Sequence, residues 1–223
     1  MNDSLYNKTL TCPACKKSIE VTRAKSKACI VSSHDTDFFT IYKGINPMLY
    51  DAWVCKFCGY AALSEKFENL GPKDAQKVKE FISAFWKSRD FTGERSIENA
   101  LEAYKLALYN LIKIGGAPSD FAKVNIRIAW LYRMKQDERE MDFLKSALKY
   151  YTESYNTENL PVGKFDEYTC MYMIGELNRR LGNFQEAKFW FNKLINSPGA
   201  KNNKMLLEYA RDQYHLTKEL AVL

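Results

Sequence analysis

VCKFCGYAA, residues 54–62, carries a CxxC pair, and TCPACKKSIEV, residues 11–21, carries a second one. Together Cys12, Cys15, Cys55 and Cys58 decide how the first third of the chain is built. A tetrahedral zinc ion takes four thiolates at about 2.3 Å, and each CxxC supplies two of them from one tight knuckle. Pro13 pre-sets the first turn. Gly59, just past the second pair, eases the left-handed backbone that such knuckles adopt; Lys16 occupies the equivalent place in the first. The thirty-nine residues between Cys15 and Cys55 exceed the usual ~15–20, so this segment must loop out as strands of its own. The expectation is a small β zinc-ribbon-like module over residues 1–62 holding a structural zinc. Four thiolates leave no open coordination position for catalysis. A redox CxxC would open a helix inside a βαβ pattern, and no such pattern surrounds either pair.

Structural disulfides are the remaining use for paired cysteines, and the compartment argues against them. MNDSLYNKTL at the start lacks the apolar stretch of a secretory signal. No apolar run approaches the ~18 residues that span a bilayer. A cytoplasmic protein without a membrane partner is expected, and there structural disulfides are rare. Hydrophobic residues make up 46% of the 223, with 14% aromatic, enough for a packed core. Ten glycines and six prolines are too few for a turn-rich all-β fold and favour long helices.

Short alternating runs fill the first part. Ile19 and Val21 flank Glu20, and ACIV, FFTIY and LYDAWVC read as further strands. From Ala61 onward the period becomes helical. Val78, Phe81, Ile82, Phe85 and Trp86 form one stripe, with Pro72 suited to the first turn. A second helix is expected from Ser96 to Lys113, stopped by Gly115–Gly116. A third starts at PSDFAK with Ser119 as its cap, and a fourth runs through EMDFLKSALKYY. TESYNTENLPVGK reads as a loop. Helices five and six are joined at Gly182–Asn183, and a seventh covers Met205–Leu220.

The segment IGELNRRLGNFQEAKFWFNKLINSP resembles a tetratricopeptide repeat: Gly175 is the small residue of its first helix and Gly182 the turn glycine. Phe184, Ala187 and Phe191 fit its second helix, while Asn178 replaces the usual tyrosine. Weaker copies centre on Ala100 and on Met141. Small residues let paired helices approach closely while aromatics fill the groove toward the next pair. The fold class expected is therefore mainly α, with tetratricopeptide-like antiparallel helical repeats over residues 63–223 behind the ribbon.

Two further sets of residues could carry chemistry. His34, Asp35 and Asp37 could hold a divalent metal or act as acid and base, or could close a polar turn and pair with Arg23. Lys16, Lys17, Arg23, Lys25 and Lys27 form the densest basic run in a chain of net charge +6, either a solvated face or phosphate contacts for nucleic acid. Cys29 and Cys170 read as small buried hydrophobes.

CPAC, Arg23, DTDFFTIY and NPMLYDAWVCKFCGYAA together resemble a bacterial family known as a domain of unknown function. In that family a CPxC knuckle, an internal DxDF and a VCPxCGYAA knuckle precede a helical half. Lys56 departs from its second-knuckle proline and Lys16 from its glycine; neither is a ligand. The resemblance implies a bacterial cytosolic origin and brings no activity with it. The function expected is a non-enzymatic adaptor whose helical repeats bind an unidentified protein or peptide. The alternatives are a nucleic-acid-binding ribbon and an enzyme built on His34, Asp35 and Asp37.

Overall fold

Both CxxC pairs lie at the turns of antiparallel β-hairpins in a computed structural model that describes residues 3–163 and 165–220. Strand β1, Leu5–Thr11, pairs with β2, Ser18–Ala24, from Leu5 opposite Ala24 to Thr11 opposite Ser18. Strands β5, Ala52–Val54, and β6, Ala61–Leu63, enclose the second pair in the same way. Between them β3, Val31–His34, and β4, Thr40–Tyr42, form a third hairpin. The alternation of Ile19 and Val21 marks β2, and both are buried.

Seven helices follow among the described residues: α1, Pro72–Phe81; α2, Ile97–Ile114; α3, Pro118–Met134; α4, Glu140–Thr157; α5, Glu167–Arg180; α6, Phe184–Ile195; and α7, Lys204–Leu220. The molecule is thus mainly helical, with small antiparallel sheets and a cysteine cluster at its N-terminal end. Ser96 caps α2 in a capping box with Asn99, and Gly115 ends it at φ +76°. From α3 onward each helix packs on the next, and α5 also packs on α7. A Cβ on Gly175 would lie 2.8 Å from the Phe191 ring, so only glycine permits this α5–α6 approach.

Several local expectations give way to longer-range forces. Ala61–Leu63 is strand, because the second knuckle closes a hairpin that pairs it with Ala52–Val54; three residues show no usable period. Helix α1 stops at Phe81, leaving Phe81 and Phe85 exposed while Val78 and Ile82 are buried. The break turns Trp86 onto Gly59, whose added Cβ would meet the indole at 2.7 Å. Helix α3 begins at Pro118, and Ser119 lies inside its first turn with N–H and Oγ both bonded to the Glu158 carboxylate, at 2.7 and 2.9 Å. A distant anion thus does the capping. Helix α4 runs through TESYNT, with the Thr152 and Thr157 hydroxyls bonded back to the carbonyls of Leu148 and Glu153.

Hydrophobic burial is continuous across residue 62. Ala52, Val54, Ala61 and Leu63 share one core cluster with Ala100, Tyr104, Ile128 and Tyr132 of α2 and α3. A second cluster joins Cys12, Cys55 and Cys58 to Trp53, Phe67, Val78 and Ile82. The buried Arg95 adds a polar tie, donating to the carbonyls of Leu49, Ala52 and Phe91 at 2.8–3.1 Å.

Candidate metal centre

The two knuckles have the same backbone. Lys16 N–H donates to Cys12 O and Gly59 N–H to Cys55 O, both at 2.9 Å. Cys12 N–H reaches Lys17 O, and Cys55 N–H reaches Tyr60 O. Gly59 sits at φ +75° and Lys16 at φ +62°, so the lysine adopts the left-handed turn despite its side chain. Backbone N–H groups point at the sulfurs: that of Cys15 at Cys12, those of Phe57 and Cys58 at Cys55, and that of Tyr60 at Cys58.

The four sulfurs lie within 4.8 Å of one another. Cys12 and Cys58 stand 3.7 Å apart, as do Cys15 and Cys55. A disulfide would need about 2.05 Å, and all four cysteines are free. A tetrahedron with metal–sulfur bonds of about 2.3 Å has sulfur–sulfur edges of about 3.8 Å. The donor set therefore fits a metal site of the all-thiolate kind. Considered as thiols alone, the group resists multiple ionisation. Hydrogen bonding with Cys55, then burial, pushes Cys12 up to about 12 and raises Cys58, with Cys12 the first partner there. Cys55 is held low as the thiolate that its neighbours' hydrogen bonds stabilise. A bound cation would reverse that preference, and binding would release protons.

The second knuckle is fastened to the helical half by three hydrogen bonds to its carbonyls. Trp86 Nε1 donates to Lys56 O at 2.7 Å, Ser83 Oγ to Cys58 O at 3.0 Å and Asn110 Nδ2 to Gly59 O at 3.1 Å. Among the described residues no other group of three or more His, Cys, Asp or Glu side chains converges in this way.

His34, Asp35 and Asp37 do not form a common site. His34 is exposed on β3 and meets Thr40 Oγ1 at 3.0 Å. Asp37 is fully buried and accepts from Arg133 Nη1 and Nη2 at 3.1 and 2.7 Å and from Trp130 Nε1 at 2.9 Å. Asp35 pairs with Arg133 at 2.9 Å and Arg180 at 2.6 Å. Burial would raise the Asp35 carboxyl, but the Thr36 N–H and the two guanidiniums outweigh it and hold it below the ordinary range. Arg133 is raised in turn, its desolvation overcome by Asp37 and Glu140. Glu176, also buried, takes Thr36 Oγ1 together with Arg179 and Arg180. The Tyr172 hydroxyl donates to Thr36 O at 2.7 Å. These contacts dock the β3–β4 turn on the face formed by α3 and α5. Arg23 is not the partner of either aspartate; its guanidinium lies over the rings of Tyr6 and Trp53.

The basic run divides along β2. Lys16 and Lys17 are at the knuckle, with Lys17 Nζ 4.9 Å from the Phe57 ring. Lys25 pairs with Asp3, and Lys27 is exposed beyond the far end of the strand. Cys29 is half-buried and its thiol is raised by burial. Cys170 is buried, donates to Tyr151 O and is raised to about 12, foremost by burial. Arg133, Arg180 and Glu176 had no local signal in the sequence, since each becomes meaningful only beside a turn about a hundred or more positions away.

A helical chain with a paired-knuckle cysteine cluster at its N-terminal end is the class these observations define. The family model for uncharacterized proteins conserved in bacteria (DUF2225) matches residues 5–217, and the chain belongs to that family. Neither the curated proteins nor the solved structures contain a match. No helix among the described residues is long and apolar enough to cross a membrane.

Proposed function

We propose that this protein is a non-enzymatic adaptor, with residues 1–62 as a ribbon stapled by one structural zinc and residues 63–223 as the partner-binding helical part. The observation that carries the reading is the pair of 3.7 Å sulfur–sulfur separations bridging the two knuckles. They match the edge of a zinc–thiolate tetrahedron, and Cys12, Cys15, Cys55 and Cys58 would hold the ion. Bound zinc would supply folding free energy and no reaction step. The setting we propose is the reducing cytoplasm, where thiolates persist.

The adaptor reading rests on the helical half. The Gly175–Phe191 approach, the buried Ala187 and the turn at Gly182, φ +80°, support tetratricopeptide-like pairing of α5 with α6. Met141, at the small-residue place of the preceding copy, is exposed, so that copy is irregular. The face of α3 and α5 already receives the chain's own β3–β4 turn. The partner surface proposed is instead the outer side of α1 and α2. There Phe81, Tyr109 and Ile112 are exposed, and Lys113 lies over both aromatic rings. Asp35 and Asp37 serve in this reading as docking groups, because arginines already hold both carboxylates.

The test is cross-linked capture from the native cell with the wild type and with Tyr109→Ser combined with Ile112→Asp. A partner retained by the wild type and lost by the variant, at unchanged thermal stability, supports the reading. Equal recovery by both proteins contradicts it. A second reading, nucleic-acid binding, is favoured by the exposed Phe57 between Lys17 and Lys56. It requires an affinity for single strands that falls steeply with salt.

A further inference from the structure

A cavity of about 280 Å³ lies between the hairpins and α3. Its wall includes Arg23 of β2, Tyr42 of β4, Trp53 of β5, Asp51 just before β5, and Arg127 and Trp130 of α3. None of the four clustered cysteines lines this wall, nor does Asp35 or Asp37, although Trp130 also donates to Asp37.

Three features of the wall point the same way. Trp53 is 3% exposed, yet its Nε1 has no hydrogen-bond partner among the described residues, and Arg127 Nη1 is likewise buried without one. Both groups are donors only. A buried donor without an acceptor costs about 1–3 kcal/mol, so an acceptor that reached either nitrogen would be held. Second, two guanidiniums face one carboxylate. Arg127 Nη2 pairs with Asp51 at 3.2 Å, whereas Arg23 makes no ion pair among the described residues, which leaves one positive charge over. Third, the wall is rich in aromatic side chains, with Trp53, Trp130 and Tyr42 among them. The volume lies at the small end of ligand pockets, which run to about 300–1,000 Å³ for drug-sized molecules.

We propose that this cavity is a binding site for a small, ring-bearing organic monoanion of the aromatic carboxylate kind. The ring lies among the aromatic walls. The carboxylate accepts from Arg23, and a shift of the Trp53 or Arg127 side chain would add its unused donor. The site joins the N-terminal hairpins to α3, so its occupant would touch both parts of the chain.

The experiment titrates benzoate, neutral benzyl alcohol and inorganic phosphate into the full chain as purified, following the Trp53 indole N–H by two-dimensional NMR. Saturable benzoate binding that shifts this resonance, with benzyl alcohol and phosphate each at least about tenfold weaker, is the expected result. Arg23 is exposed, so Arg23→Ala keeps the fold; it should weaken benzoate about tenfold while Arg23→Lys retains part of the affinity. Absence of saturable benzoate binding up to about 10 mM overturns the proposal. So does equal binding of benzyl alcohol or phosphate, or an Arg23→Ala protein that binds benzoate as the wild type does.

Discussion

Arg133 on α3 grips Asp37, ninety-six positions earlier in the chain, through a two-pronged ion pair with N–O distances of 2.7 and 3.1 Å. Asp37 has no solvent exposure. The pair fixes the β3–β4 turn to the helical half, while the knuckle carbonyls bind Trp86, Ser83 and Asn110 at a separate place. The two contacts make the hairpins and helices one packed unit with the cysteine cluster at its edge.

Replacing Asp37 by Asn takes the fully buried carboxylate away from Arg133 and leaves Asp35 and Glu140 to balance its charge. A loss of about 1–3 kcal/mol is expected in urea unfolding of the metal-loaded protein. Asp35→Asn, at a half-exposed pair, should cost about 1 kcal/mol. Equal costs for the two substitutions would show that burial does not set the strength of this network.

Gly175→Ala should destabilise the protein by about 1–3 kcal/mol, because the new methyl meets the Phe191 ring inside a packed core. Gly182→Ala meets no atom within 4 Å and should cost only the left-handed backbone, about 1 kcal/mol. Combining Gly175→Ala with Phe191→Leu should recover part of the first loss if the clash is its cause. Thermal unfolding of the three variants decides the point.

Lys16 holds φ +62° without being glycine. Lys16→Gly removes the steric cost of that backbone and should raise stability by about 0.5–1 kcal/mol, after the larger unfolded-state entropy of glycine is subtracted. Metal content should be unchanged. A loss of stability would mean that the Lys16 side chain contributes more than its backbone costs.

The lowered Asp35 carboxyl sets a pH dependence. Its folded value lies below its unfolded value, so its stabilisation is complete above the ordinary value of about 3.9 and fades as pH falls through the folded one. The stability difference between the wild type and Asp35→Asn should therefore narrow as pH falls below about 4. Comparing the two at each pH cancels the effect of acid on the cysteines. A difference that holds constant over this range contradicts the assignment.

The cysteine spacing made the knuckles legible, because CxxC geometry is local and Cys12, Cys15, Cys55 and Cys58 need no distant partner to be recognised. The stop of α2 at Gly115 was local in the same sense. The strands β1 and β6 were not legible: Lys8 and Thr9 interrupt any apolar alternation in β1, and β6 has three residues. The roles of Asp35 and Asp37 were hidden for another reason. Their partners come from α3 and α5, and a guanidinium carries no mark in the sequence of the carboxylate it will meet. Ser119 was read as a cap because its type fits; Pro118 and Glu158 changed its place in the helix.

The central claim is that four cysteines from two hairpins hold one zinc ion. X-ray absorption on protein purified under reducing conditions, with elemental analysis of the same sample, tests it most directly. The account predicts about one zinc per chain, four sulfur neighbours at about 2.3 Å, and loss of the metal in Cys58→Ser. Metal-free folded protein, a shell with oxygen or nitrogen neighbours, or a Cys12–Cys15 disulfide would contradict it.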